Sequence, residues 1–341
     1  MNEIASERVF PARLNQVNPD LLAILAGHDA VLLGDELKPN GQACDIEQRQ
    51  QYLDQHLAAA QTTAWRLRAG NAAVDDAGDS RVKDRFLLTG PGAPAAPVPW
   101  YELPAVLSQA FRGKRVLADL TSLGGSSVLQ VHAAAMGQQT FGLSYLYLTP
   151  EQYPQTQRPD ETPPVVTRTI KQPHGYRSFG QEQGEGGTRQ HLIVLGFDRH
   201  RPNKFIEHYQ WPNEEIRLLL CKPAYVEQGE EQARKSIGQA LFEELECAGR
   251  VHEVNPLRVV GVAASPGVAD TLYGLAQGVD YVDVVPLGPK PTLLAVAVFW
   301  HMLTEAQRER TRLLYDFPVV RQSRSVGIKQ VWLYPNMVTQ G

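Results

Sequence analysis

The chain has 341 residues, 43% apolar and 21% charged. That is enough for roughly two units of about 100–200 residues with ordinary cores. With 33 Lys and Arg against 37 Asp and Glu, the net charge is −4, which excludes a basic field over the whole molecule and leaves room only for a local basic groove. No apolar run approaches the ~18 residues of a membrane-spanning helix. Residues 1–8 lack the basic, then apolar, pattern of a secretory signal. Cys44, Cys221 and Cys247 are the only cysteines and have no paired spacing. Neither a disulfide framework nor a zinc ribbon is expected, and a cytoplasmic setting is the default.

In chain order, residues 1–110 read as a smaller helical and α/β segment with no role assigned. Residues 30–33 and 86–88 are short strand candidates. Residues 44–68 read as one long helix, with Asp45 as cap and Tyr52, Leu53, His56, Leu57, Ala60 and Ala64 at helical spacing. Residues 90–99 hold four prolines and read as an extended linker.

From residue 111 to 341 the pattern predicts a single α/β domain. A strand at 115–120 precedes a helix at 127–136, ended by Gly137, and a strand at 140–148. A Pro/Gly-rich insert follows at about 150–190. Strands are then expected at 191–196, 216–221, 251–254, 259–263, 281–285, 313–316 and 330–334. Helices are expected at 202–209, 229–247, 268–277 and 291–303. Short apolar strands alternating with helices predict a mostly parallel sheet with helices on both faces. No tandem repeat is evident.

Open α/β sheets bind ligands beyond the carboxyl ends of their strands, and three stretches fall there. The first is Asp119, Thr121, Ser122, Gly124 and Gly125, where hydroxyls and glycines lead into a helix N-terminus suited to an anion. The alternative is that Asp119 merely satisfies loop amides and Ser126 or Ser127 caps the helix. The second is Asp198, Arg199 and Arg201, with Lys204. There the carboxylate would order the loop or hold a ribose hydroxyl, and the cations would face phosphate; a solvated charged loop is the alternative. The third is Gly288 and Lys290, between prolines at the mouth of an apolar helix, where an ammonium would meet an anion; a plain surface lysine is the alternative. A basic loop carrying Arg324 would close over the same ligand. All three are expected at one edge of one sheet.

These residues carry a resemblance. Gly288-Pro289-Lys290 with its apolar helix resembles the Gly-Thr-Lys segment of CRISPR-associated Rossmann-fold (CARF) sensor domains, with proline in place of threonine at 289. Asp119-Leu120-Thr121-Ser122 resembles the polar end of the first strand in such domains. Gly196-Phe197-Asp198 with Arg201 is similar to a segment of Rossmann-like proteins of prokaryotic antiviral defence loci. The resemblance covers roughly residues 114–335. It implies a Rossmann-like fold, a nucleotide ligand, often cyclic, and a homodimer sharing the site, with defence-system proteins as further partners.

The function expected is therefore binding of a phosphate-bearing nucleotide signal. Two other classes stay open: an enzyme acting on nucleotides or phosphoribosyl groups at the same site, and a non-catalytic subunit of a defence complex. No catalytic residue is assigned. The nine histidines show no metal-binding spacing and most read as surface or capping residues, so no cofactor and no metal are expected.

Overall fold

The computed structural model describes residues 4–5, 8–11, 17–34, 47–70, 85–151, 167–170, 173–176, 179–180, 186–196, 201–224, 229–260, 266–315, 318–321 and 327–338. The chain forms two compact units, the first from residues 6–154 and 323–341, the second from residues 1–5 and 155–322.

β1 (Ile4–Ala5) belongs to the second unit, and β2 (Arg8–Pro11) opens the first. In α1 (Pro19–Ala26), the Asn18 side chain accepts the N–H groups of Asp20 and Leu21, and proline stands in the first turn. β3 (Ala30–Gly34), α2 (Glu47–Ala60), β4 (Ala64–Gly70), β5 (Arg85–Thr89) and β6 (Val98–Pro99) follow. Then come α3 (Leu103–Ala110), β7 (Arg115–Asp119), α4 (Gly125–Gln138) and β8 (Gly142–Thr149).

The second unit contains β9 (Thr167–Ile170), β10 (His174–Gly175), β11 (Arg189–Val194), α5 (Arg201–Tyr209) and β12 (Ile216–Cys221). It continues with α6 (Gly229–Ser236), α7 (Gln239–Cys247), β13 (Val251–Val254), β14 (Arg258–Val260) and α8 (Val268–Leu275). β15 (Tyr281–Pro286), α9 (Lys290–Met302), α10 (Glu305–Arg308), β16 (Thr311–Tyr315) and β17 (Pro318–Arg321) complete it. β18 (Gln330–Val338) returns to the first unit.

The first unit is built on an eight-stranded sheet, β2-β18-β8-β7-β3-β4-β5-β6. Its centre, β8-β7-β3-β4, is parallel, and antiparallel strands extend it on both sides. The second unit has the order β10-β16-β15-β11-β12-β13, parallel throughout except for the two-residue β10.

Side-chain alternation decides which helix covers which face. In the first unit, Val31 and Leu33 cluster with Leu21, Leu25, Tyr52 and Leu57 of α1 and α2. Leu32, Val116 and Ala118 are equally buried and turn to the other face, where α3 packs on α4. In the second unit, Ile193, Leu218, Leu220 and Val285 cluster with Phe205, Phe242 and Leu245 of α5 and α7. Leu192, Leu219 and Val284 are buried on the opposite face, the side of α9. Both units are Rossmann-like α/β folds.

Strands on both sides of residue 110 share one sheet, so the division expected there does not exist. The proline-rich stretch after residue 150 is the passage from one unit to the other, at residues 154–155, and not an insert within one domain. The expected helix at 44–68 is also shorter. α2 ends at Ala60, Gln61 takes φ 54°, and Ala64–Gly70 is a strand. There, buried Trp65 and Leu67 alternate with less buried Arg66 and Arg68. The helix expected at 229–247 is broken at Gly238, whose φ of 96° suits only glycine. Gly137 lies inside α4, and Gln139, in a left-handed conformation, ends that helix instead.

Candidate functional site

Each unit contains the same four-strand parallel block. Numbered by appearance, the strands lie in the order fourth-third-first-second: β8-β7-β3-β4 in one unit and β16-β15-β11-β12 in the other. β13 extends the second block to the order found in dinucleotide-binding sheets. The direction of winding reverses between the first and third strands, and that reversal leaves a crevice at their carboxyl ends.

A glycine stands at the carboxyl end of the first strand of each block: Gly34 closes β3, and Gly196 lies two residues beyond β11. A Cβ on Gly34 would stand 2.1 Å from the Ser122 carbonyl oxygen, and one on Gly196 would stand 2.1 Å from that of Leu287. Main chain therefore meets main chain there in both units. Apart from that glycine, the two crossovers share architecture and not motif.

The crevice of the first unit is filled by its own side chains. Asp119 is 1% exposed, and its two carboxylate oxygens accept the N–H groups of Thr121 and Ser122 at 3.0 and 3.1 Å. Thr121 Oγ1 accepts the Leu148 N–H at 2.9 Å, and Ser122 Oγ accepts the Gly34 N–H at 2.8 Å. The ends of β3, β7 and β8 are thereby tied together. Burial pushes the Asp119 carboxyl up, against the opposing hydrogen bonds from Ser122 and Thr121. Gly124 is extended and precedes Gly125, the first residue of α4, whose first turn is buried at Ser127. Asp119, Thr121 and Ser122 thus hold the turn, with Asp119 satisfying loop amides; the helix starts from Gly124 with no side-chain cap, so neither Ser126 nor Ser127 caps it.

Asp119→Asn keeps one acceptor oxygen and turns an amide toward a backbone N–H. It is expected to destabilise the first unit by about 1–3 kcal/mol, read as a lower urea midpoint. An unchanged midpoint would show that the turn does not depend on this carboxylate.

The equivalent turn of the second unit is built differently. Gly288 lets the first turn of α9 close on β11, because a Cβ there would meet Thr292 Oγ1 at 2.7 Å and Val194 Cγ1 at 3.1 Å. Thr292 Oγ1 donates to the Pro289 carbonyl at 2.8 Å. Lys290 is half-buried and opens α9, with Pro291 behind it in the first turn. α9 is buried from Pro291 to Trp300, as its apolar sequence predicts. Arg201 opens α5 and is 6% exposed; its guanidinium lies 5.4 Å from the ring centroid of Tyr315. Asp198, Arg199 and Arg324 lie outside the described residues.

Asp119 and Lys290 stand in different sheets of different units, so the expectation of one common edge is overturned. Both do follow a parallel strand and precede or open a helix. What the alternation of strands and helices could not reveal is that one sheet ends and another begins.

Sequence reasoning also missed a charged row at the amino edge of the second sheet. His191, Asp283 and Arg312 are register neighbours on β11, β15 and β16. His191 Nδ1 lies 3.0 Å from Asp283 Oδ2, and Nε2 lies 3.1 Å from Glu215 Oε2. Carboxylates only accept, so both ring nitrogens donate. Arg312 completes the row with two hydrogen bonds to Asp283, at 2.7 and 3.1 Å. Trp211 stacks on the His191 ring at 4.1 Å between centroids.

Both nitrogens of the ring and both oxygens of Asp283 are engaged, so this row clamps β11, β15 and β16 together. His191 is neither a surface nor a capping histidine. The signal that could have revealed it was charge at the start of apolar strands.

Comparison with protein-family models, curated proteins and solved structures finds no match. Among the described residues, no group of three or more His, Cys, Asp or Glu side chains is arranged to hold a metal ion. No helix there is long and apolar enough to cross a membrane.

Proposed function

We propose that this chain binds a phosphate-bearing nucleotide at the carboxyl edge of the six-stranded sheet, in the crevice between β11 and β15. The observation that carries the reading is the reversal of winding at that point, where the thirteen-residue helix α9 begins with Lys290. A helix start supplies backbone N–H groups and a partial positive charge, and a lysine in its first turn adds a full one. In the first unit, Asp119, Thr121 and Ser122 close the equivalent turn. The resemblance to CARF sensors makes the nucleotide a signal in prokaryotic antiviral defence and two copies of the chain the binding unit.

Calorimetric titration with a panel of linear and cyclic oligonucleotides tests the reading. Wild type should bind at least one member, and Lys290→Ala should bind it about tenfold more weakly or worse, a loss of ~1.4 kcal/mol. Binding by neither protein at millimolar concentration, or equal binding by both, would overturn it.

A further inference from the structure

The second unit also carries a cationic cluster away from the carboxyl edge. Arg217 is the second residue of β12, Arg250 directly precedes β13, and His252 lies on β13. The two strands are parallel, with Leu218 opposite Val251 and Leu219 opposite His252. Arg250 is held in line by its carbonyl, which accepts the Leu218 N–H at 2.9 Å. Alternation along each strand puts Arg217, Arg250 and His252 on one face. It is the face opposite Leu218 and Leu220, which pack against Phe242 and Leu245 of α7.

Arg217 donates to the carbonyls of Glu214 and Ile216 at 2.8 and 3.0 Å. Among the described residues, no carboxylate pairs with Arg217 or Arg250. His252 Nε2 is buried and has no hydrogen-bond partner there. Burial and then the charge of Arg250 hold the Arg217 guanidinium below its ordinary range. Burial and then Arg217 do the same to His252.

Like charges on neighbouring strands repel, and a buried ring nitrogen left unmet costs free energy. An oxyanion answers both. Its oxygens accept from two planar guanidinium groups and one imidazole N–H, and its charge relieves the repulsion.

We propose that Arg217, Arg250 and His252 form a phosphate-binding site at the amino end of β12 and β13. The site stands apart from the Lys290 crevice, which lies at the other edge of the sheet. Arginine favours this ligand class because its fork of N–H donors matches phosphate oxygens, and the imidazole adds a third donor from the next strand. The assignment does not rest on the nucleotide reading above.

The test is a titration of the full chain with inorganic phosphate, followed through the histidine ring signals by NMR. Chloride holds the ionic strength constant, and His252→Gln assigns the signal. Phosphate is expected to shift the His252 signal saturably and to raise its titration midpoint, because a bound anion favours the charged ring. Arg250→Gln removes a half-buried side chain that packs in no core cluster, so the fold should persist, with the affinity about tenfold lower or worse. Lys290→Ala should leave the response unchanged. A His252 signal that does not move with phosphate, or that moves equally in Arg250→Gln, would overturn the site.

Discussion

Asp283→Ala is expected to destabilise the second unit by about 3–5 kcal/mol, the cost of stranding buried charges by removing their partner. Asp283 is 1% exposed. It accepts from His191 on one side and, through both oxygens, from Arg312 on the other. Alanine leaves two cationic groups facing each other across β15 and opens the space of a carboxylate. The chain has two units, so unfolding need not follow a single transition. The measurement is the urea transition of the second unit, followed through the NMR signal of the Trp211 indole N–H, which is resolved from those of the other four tryptophans, since that ring stacks on His191.

The same residue sets an acid limit. Burial alone would raise the Asp283 carboxyl, but the hydrogen bonds and charges of His191 and Arg312 prevail and hold it below the usual carboxylate range. The unfolded chain therefore binds more protons below about pH 4. The contribution of Asp283 is complete above that pH and is lost as pH falls through the lower, folded value. Asp283→Ala should remove this part of the acid sensitivity. An unaltered midpoint at neutral pH, or an unaltered acid limb, would mean that the row contributes no net stability.

Much of the architecture was legible because the apolar runs are strong. The strands at β7, β11, β12 and β15 and the buried helix α9 stand close to where periodicity places them. The errors have identifiable physical sources. Residues 61–68 look helical by spacing because Ala64 continues the run of Tyr52, Leu57 and Ala60. Gln61 in a left-handed conformation stops the helix, and Trp65 and Leu67 then bury on alternate positions of β4.

The unit boundary was hidden for a different reason. Both blocks are built from the same strand–helix crossovers, so their sequences run on as one alternating pattern. The proline-rich passage after residue 150 reads equally well as a loop within a domain. Asp119, Thr121 and Ser122 were found at a strand end, as the pattern required. Their partners, Leu148 and Gly34, lie on other strands and cannot be read locally. His191 and Asp283 are 92 positions apart, and only the register of β11 with β15 brings them together.

Gly34→Ala is expected to destabilise the first unit by about 3 kcal/mol, the upper end of the usual cost of overpacking. A Cβ at Gly34 would meet the Ser122 carbonyl oxygen at 2.1 Å, its carbon at 2.3 Å and the Leu123 nitrogen at 2.7 Å. All three are backbone atoms, so no side-chain rotation relieves the contact. The end of β3 and the turn after β7 must separate by roughly 1 Å, since van der Waals contact between carbon atoms is at about 3.5–4.0 Å and cores yield little. That movement also pulls the Gly34 N–H from Ser122 Oγ and strains the Asp119 hydrogen bonds that order the turn. Gly137→Ala is the matched control. It lies within α4 with nothing within 4 Å of an added Cβ, so alanine should stabilise the helix by about 0.5–1 kcal/mol. Urea unfolding of the two variants should therefore move the first-unit transition in opposite directions. If Gly34→Ala unfolds at the same midpoint as Gly137→Ala, the close approach of β3 to the β7 turn is not a constraint on this fold.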